Sequence, residues 1–181
     1  MGNDALVVVG SSFEGAFAAD VKLSISLASL RWNMRIRSQS RGRLWLRSAD
    51  PAAVPALDPQ VFAEPRDLEV LTDSVKLVRE ISRKPALDEW RKAEWAPGDQ
   101  VSDRDAIRDY VRRQVLTYHH QIGTCRMGVD ASAVVDPELR VRGIDGLRVV
   151  DAPIMPDIPS GNTNAPTIMI AEKGADLLLG R

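Results

Sequence analysis

The sequence predicts an α+β fold, an antiparallel sheet flanked by helices, with a strand, loop and helix of different character at its C-terminal end. Three observations carry that prediction. Val21, Leu23, Ile25 and Leu27 alternate strictly with Lys22, Ser24 and Ser26, the period-2 pattern of a half-buried strand. Two segments between Asp67 and Val115 instead carry apolar residues at helical spacing. The last third returns to short apolar runs punctuated by Gly143 and Gly146, then closes on one more helical stretch.

Taken in order, Ala5 to Val9 form a β-type run ended by Gly10-Ser11-Ser12. After the alternating strand from Val21 to Leu27, Trp32, Met34 and Ile36 alternate with Asn33, Arg35 and Arg37 and predict a second. The polar stretch Ser38 to Gly42 reads as a turn, and Leu44 to Leu46 as a third strand. Pro51, Pro55, Pro59 and Pro65 punctuate a stretch without period, read as an ordered surface connection. Asp67 is placed as the cap of a helix with Leu68, Leu71, Val75 and Val78 on one stripe and Ile81 beside it; Pro85 limits that helix. Trp90 and Trp95 flank a poorly defined stretch ending at Pro97-Gly98. Ser102-Asp103-Arg104-Asp105 has the form of a capping box ahead of Ile107, Tyr110, Val111 and Val115. Val134-Val135, Leu139 to Val141 and Leu147 to Val150 read as short strands. A proline-rich loop from Pro153 to Pro159 precedes a helix that starts near Asn164-Ala165-Pro166 and carries Ile168 to Leu179.

Composition narrows the function classes. With 181 residues the chain has the size of one domain, and a folded chain of that length buries roughly 70% of its unfolded surface. The 24 basic and 25 acidic side chains leave a net charge of -1, which argues against a general nucleic-acid binder. Cys125 is the single cysteine, so no internal disulfide forms and a reducing compartment fits. Met1 to Asp4 hold an acid and no base, unlike a secretory leader, although Ala16-Phe17-Ala18 has the form of a cleavage site; the expectation is a cytoplasmic protein. No apolar run reaches the ~18 residues of a membrane span.

Two constellations can carry chemistry. Tyr118-His119-His120-Gln121-Ile122-Gly123-Thr124-Cys125-Arg126-Met127-Gly128 contains both histidines of the chain. Histidine suits a general base near neutral pH, and adjacent residues of an extended chain face opposite sides, so one ring at most serves a given site. The same geometry argues against a metal centre, for which no residue is assigned. A Cys125–histidine hydrolytic dyad and two ordinary hydrogen-bonded turn histidines both remain open at this point. The second constellation, Pro159-Ser160-Gly161-Asn162-Thr163-Asn164-Ala165-Pro166, opens the last helix. On its own it reads first as a plain helix cap, and second as a helix N-terminus offering N–H groups and partial positive charge to an anionic ligand.

The stretch TYHHQIGTCRMG, followed by VVDPELRVRGIDGLRVVDAPIMPDIPSGNTNAPTIMIAEKGADLL, resembles the C-terminal signature of the glucose–methanol–choline (GMC) oxidoreductases, nearly continuously from Tyr118 to Leu178. Upstream, SRGRLWLRSADP resembles the strand opening that family's substrate domain, and EPRDLEVLTDSVKLVREIS the helix after it. The resemblance implies an enzyme that uses FAD to oxidise a small-molecule alcohol to a carbonyl. It implies His120 as the catalytic base and Asn162 as a second active-site residue that hydrogen-bonds the substrate oxygen. Thr163 and Asn164 would lie against the flavin ring, and the backbone of Asp151 and Ala152 would approach the FAD pyrophosphate. The implied organisation is 1–39 as N-terminal strands with a possible remnant of the FAD-binding motif, 40–145 as substrate-binding domain, and 146–181 as the strand–loop–helix completing the FAD-binding half.

One departure from the family pattern stands out. Gly10-Ser11-Ser12-Phe13-Glu14-Gly15 is the nearest match to a G-x-G-x-x-G fingerprint and has Ser12 where the second glycine lets backbone approach the pyrophosphate. A full dinucleotide-binding unit does not fit ahead of Ser40. The expectation is therefore the C-terminal part of such an enzyme, truncated or split and not competent alone. An exposed apolar surface around Leu147, Val149, Ile168 and Ile170 would then demand a separate FAD-binding chain or a homo-oligomer. The alternatives are a non-catalytic interaction module that keeps the fold without flavin and, more distantly, the cysteine–histidine hydrolase.

Overall fold

The computed structural model describes residues 5–7, 38–89, 91, 93–94, 96–115 and 119–181. The predicted strands at Val21 to Leu27 and Trp32 to Ile36, the glycine motif at Gly10 to Gly15, and Trp90 and Trp95 lie outside them. The described residues fall into two compact units, one made of 5–7 with 119–181, the other of 38–115.

In the second unit, β2 (Arg43–Trp45) pairs antiparallel with β3 (Ala56–Asp58), with Leu44 opposite Leu57. β3 corrects the reading of Pro51 to Pro65 as a strandless connection. Pro55 and Pro59 sit just outside its three residues, so neither removes a ladder N–H, and the run is too short to show a period. At the hairpin's open end a Cβ on Gly42 would come within 2.4 Å of the Asp58 carbonyl oxygen, so only glycine admits this approach. Helix α1 (Pro65–Ser82) starts with proline at its first position, which forces the preceding Glu64 into extended geometry. Helix α2 (Arg104–Gln114) starts where the Asp103 carboxylate accepts the Asp105 and Ala106 N–H groups at 3.0 and 2.9 Å. Leu68 and Val75 of α1 pack with Ile107 and Val111 of α2, while Glu69 bridges Arg104 and Arg108 at the edge of that seam.

Asp67 does not cap α1. It sits in the first turn of the helix, 5% exposed, and its carboxylate accepts the Ser38 hydroxyl (2.8 Å), the Gln39 N–H (3.0 Å), and the Ser40 N–H and hydroxyl (2.8 and 2.6 Å). The Ser40 hydroxyl oxygen in turn accepts the Glu64 N–H at 3.2 Å, so residues 38–40 supply the partner the helix end lacks. Ile81, expected beside the buried stripe, is exposed.

In the first unit, β1 (Ala5–Val7) lies parallel to β4 (Leu147–Val149), Ala5 opposite Leu147 and Val7 opposite Val149. The expected strands at Val134-Val135 and Leu139 to Val141 reduce to single bridges, Met127–Val135, Val135–Val141 and Arg140–Arg148. The turn between them prevents extension: Pro137 has no N–H, Leu139 adopts a left-handed φ of 67°, and the Asp136 carboxylate takes the Glu138 and Arg140 N–H groups at 2.9 Å.

Helix α3 (Asn164–Leu179) ends at Gly180 in a left-handed conformation. Its Ile170 is buried with Val135, Leu139, Val150, Ile154 and Met155. This corrects the expectation of an exposed Ile170. Leu147 and Val149 are half-buried, and of the four named positions Ile168 alone is truly open, at 56%. A Cβ on Gly174 would lie 2.3 Å from Val150 Cγ1, so α3 approaches the end of β4 through a gap that alanine does not fit. Gly174→Ala should therefore lower stability by about 1–3 kcal/mol from overpacking, outweighing the roughly 0.5–1 kcal/mol of helix propensity gained. A urea midpoint at or above wild type in the variant would contradict that packing.

Candidate active site

The chain reaches His120 from a neighbour in unusual backbone geometry. His119 takes a left-handed φ of 62° and is exposed, whereas His120 is half-buried with its Nε2 shielded from solvent. The two rings are thus separated by a turn, and not by the extended alternation expected from sequence. Gly123 turns the chain again at φ 83°, and the following segment docks on the Ala152–Ile154 turn. There the Cys125 N–H donates to the Pro153 carbonyl (3.1 Å) and the Met127 N–H to the Ile154 carbonyl (2.8 Å).

Asp151 builds the platform for that docking. Its carboxylate accepts the Ala152 N–H at 2.7 Å and caps the short 3-10 turn, which buries Ile154. The acid side chain is therefore committed to local geometry, and backbone is what this corner presents.

Thr163 opens α3 and is 6% exposed. At an ordinary N-cap its hydroxyl oxygen would accept an N–H of the first turn. Here the third helical residue is Pro166, which has no N–H, and Thr163 makes no side-chain cap. The hydroxyl instead lies 3.0 Å from His120 Nδ1, joining positions 43 residues apart. The Thr163 carbonyl starts the helix ladder by accepting the Thr167 N–H (3.0 Å) and hydroxyl (2.7 Å). Asn162 and Asn164 flank Thr163 in sequence and are both exposed. The structure thus joins His120 to Thr163 directly, while Asp151 and Ala152 act in the adjoining turn. Clefts of about 190 and 530 Å³ run along Asp136–Arg148 and beside α1, and neither is lined by His120, Asn162 or Thr163.

Charge at the helix start is open as well. No acidic side chain lies in the first turn of α3, so no acid of that turn offsets the partial positive charge of the helix N-terminus. That donor set fits a group that is anionic or gains negative charge, as a flavin ring does on reduction. Cys125 fits a nucleophile poorly: burial pushes its thiol pKa up, against a smaller lowering by a hydrogen bond from Thr124. Among the described residues no group of three or more His, Cys, Asp or Glu is arranged to hold a metal, and no helix is long and apolar enough to cross a membrane.

The missed signal was the role of Thr163 toward His120. Pro166 removes one of the two N–H groups the hydroxyl could cap, but the partner lies 43 residues away in sequence and is not read from local pattern.

Comparison with known proteins finds one family for the chain. A family model described as GMC oxidoreductase matches residues 38–171. The oxygen-dependent choline dehydrogenase of Chromohalobacter salexigens is 46% identical over 146 residues, covering 81% of this chain and 26% of the relative. The alcohol dehydrogenase [acceptor] of Pseudomonas putida is 45% identical over 141 residues, covering 78% and 26%. The crystal structure of pyridoxine 4-oxidase from Mesorbium loti superposes with a TM-score of 0.75 at 34% identity, covering 81% of this chain and 28% of that one. The chain spans about a quarter of the length of the curated relatives it matches.

Proposed function

The chain belongs to the GMC oxidoreductase family, and from that membership we propose that it forms the catalytic wall of an FAD-dependent enzyme that oxidises a small-molecule alcohol to a carbonyl. The observation that carries this reading is the 3.0 Å contact seating the His120 imidazole on Thr163 at the open N-terminus of α3.

Each residue then has a defined task. His120 takes the proton of the substrate hydroxyl, which leaves the alcohol carbon able to release hydride and close the C=O bond. The Asn162 amide donates a hydrogen bond to the substrate oxygen and, having no titrating group, leaves His120 as the base. Thr163, Asn164 and the first turn of α3 would hold the flavin ring, and the helix dipole favours negative charge there. Asp151 and Ala152 would hold the pyrophosphate through backbone, because a carboxylate beside phosphates is repelled and the Asp151 carboxylate is already bonded. When bound, FAD supplies the hydride acceptor.

Residues 40–145 serve the substrate and residues 146–181 the flavin, and a partner completes the site. That partner is an FAD-binding half, meeting the apolar side chains of Ile168 and Met169, 56% and 63% exposed. FAD titrated into the full chain, alone and with the FAD-binding half of a relative supplied separately, tests this. Flavin fluorescence quenched on assembly is the expected result. Fluorescence unchanged under both conditions would leave a fold without its cofactor and favour the interaction module.

A further inference from the structure

The contact between His120 Nδ1 and Thr163 Oγ1 has two possible directions, and they leave opposite chemistry on the far side of the ring. If the hydroxyl donates, Nδ1 is the acceptor and the neutral ring carries its proton on Nε2. If Nδ1–H donates, Nε2 keeps a lone pair and is the basic atom. We propose that Thr163 is a positioning residue that accepts Nδ1–H and holds His120 in the tautomer whose Nε2 is basic, an inference that rests on the proposed role of His120 as the base.

Three observations support it. The Thr163 oxygen is available as an acceptor because it makes no helix cap: Thr163 is itself in helical geometry (φ -78°, ψ -9°) rather than the extended geometry of a capping residue, and Pro166 at the third helical position has no N–H. Thr163 is 6% exposed and anchored by its own carbonyl, which takes both donors of Thr167, so the hydroxyl is held at a fixed point. Nδ1 is committed to that point, so proton uptake from a substrate falls to Nε2, an atom sheltered from solvent. The helix start thus orients the imidazole and selects which nitrogen takes the proton.

The test reads tautomers in the full chain by nuclear magnetic resonance of isotope-labelled histidine nitrogens, with the exposed His119 as reference within the same molecule. Wild type should show the protonated-nitrogen signal on Nδ1 of His120. Thr163→Val, of the same shape without the hydroxyl, should lose that preference, and Thr163→Ser should keep it. In the FAD-assembled protein, Thr163→Val should slow flavin reduction by roughly tenfold or more, part of the 10²–10⁴-fold a positioned base contributes, with the alcohol KM little changed and Thr163→Ser restoring the rate. A wild-type His120 protonated on Nε2, or a tautomer preference that survives Thr163→Val, would overturn the proposal. The tautomer measurement needs neither flavin nor turnover. A preference set by Thr163 together with full activity in His120→Ala would remove the base and leave the positioning bond standing, so the two failures are distinguishable.

Discussion

Replacing His120 with alanine should slow the reduction of enzyme-bound flavin by an alcohol by about 10²–10⁴-fold, the range a positioned general base contributes. A neutral alcohol holds its hydroxyl proton far too tightly to release hydride readily, and in the proposed reading His120 is the group that takes it. Asn162, exposed beside Thr163, can hydrogen-bond the oxygen but cannot replace a base. The variant should still take up FAD, because the proposed flavin contacts come from the α3 N-terminus and the Asp151–Ala152 turn. Anaerobic rapid mixing separates these effects, with flavin absorbance reporting occupancy and its bleaching rate reporting chemistry. A rate within about twofold of wild type would remove His120 as the base. Cys125→Ser serves as the contrast: its thiol is pushed toward the neutral form by burial, so the flavin-bleaching rate should not depend on it.

The second large effect concerns stability. Asp67→Ala should destabilise the 38–115 unit by about 3 kcal/mol, because it strands the Gln39 and Ser40 N–H groups and two serine hydroxyls that now share one buried carboxylate. Burial alone would raise the Asp67 pKa, but the Ser40 hydroxyl, the Gln39 and Ser40 N–H groups and the Ser38 hydroxyl outweigh it and lower the value from 3.8 to about 2. A carboxylate depressed in the folded state stabilises fully above its unfolded pKa and loses that contribution as pH falls through the folded one. The difference between 3.8 and about 2 corresponds to about 2 kcal/mol, lost over that same acid window. Urea unfolding followed by tryptophan fluorescence, with Trp45 reporting on β2, should show a midpoint that falls on acidification in wild type and is flatter in Asp67→Ala. Equal slopes in the two proteins would show that the carboxylate does not carry the effect.

Periodicity made the helices legible. Leu68 and Val75 against Ile107 and Val111 is the packing their spacing predicts, and α2 starts within the Ser102–Asp105 box, with Asp103 as its cap. The alternating runs near the N-terminus fall outside the described residues. Where the structure departs from the sequence expectation, a long-range partner overrides a local preference. Asp67 looks like a cap because it begins an amphipathic run, yet its carboxylate faces Ser38 to Ser40, close in space but 27 to 29 residues away in sequence. Ile170 was expected at an open surface, but Gly174 brings α3 close enough to Val150 to bury it. β3 was hidden between two prolines in three residues.

The candidate site divides along the same line. Membership in the family was legible because the residues from Tyr118 to Leu178 combine several independently spaced elements, and it needed no coordinates. The pairing of His120 with Thr163 did need them. It depends on two turns, at His119 and Gly123, that local sequence does not specify, and on a threonine in helical geometry whose hydroxyl caps nothing and meets the ring instead.

If this wall oxidises an alcohol at a flavin, adding an alcohol, without oxygen, to the chain assembled with FAD and an FAD-binding half should bleach the visible flavin absorbance as a carbonyl product appears in equal amount. Flavin that is bound yet keeps its colour across a panel of primary alcohols, choline and pyridoxine among them, would contradict that role.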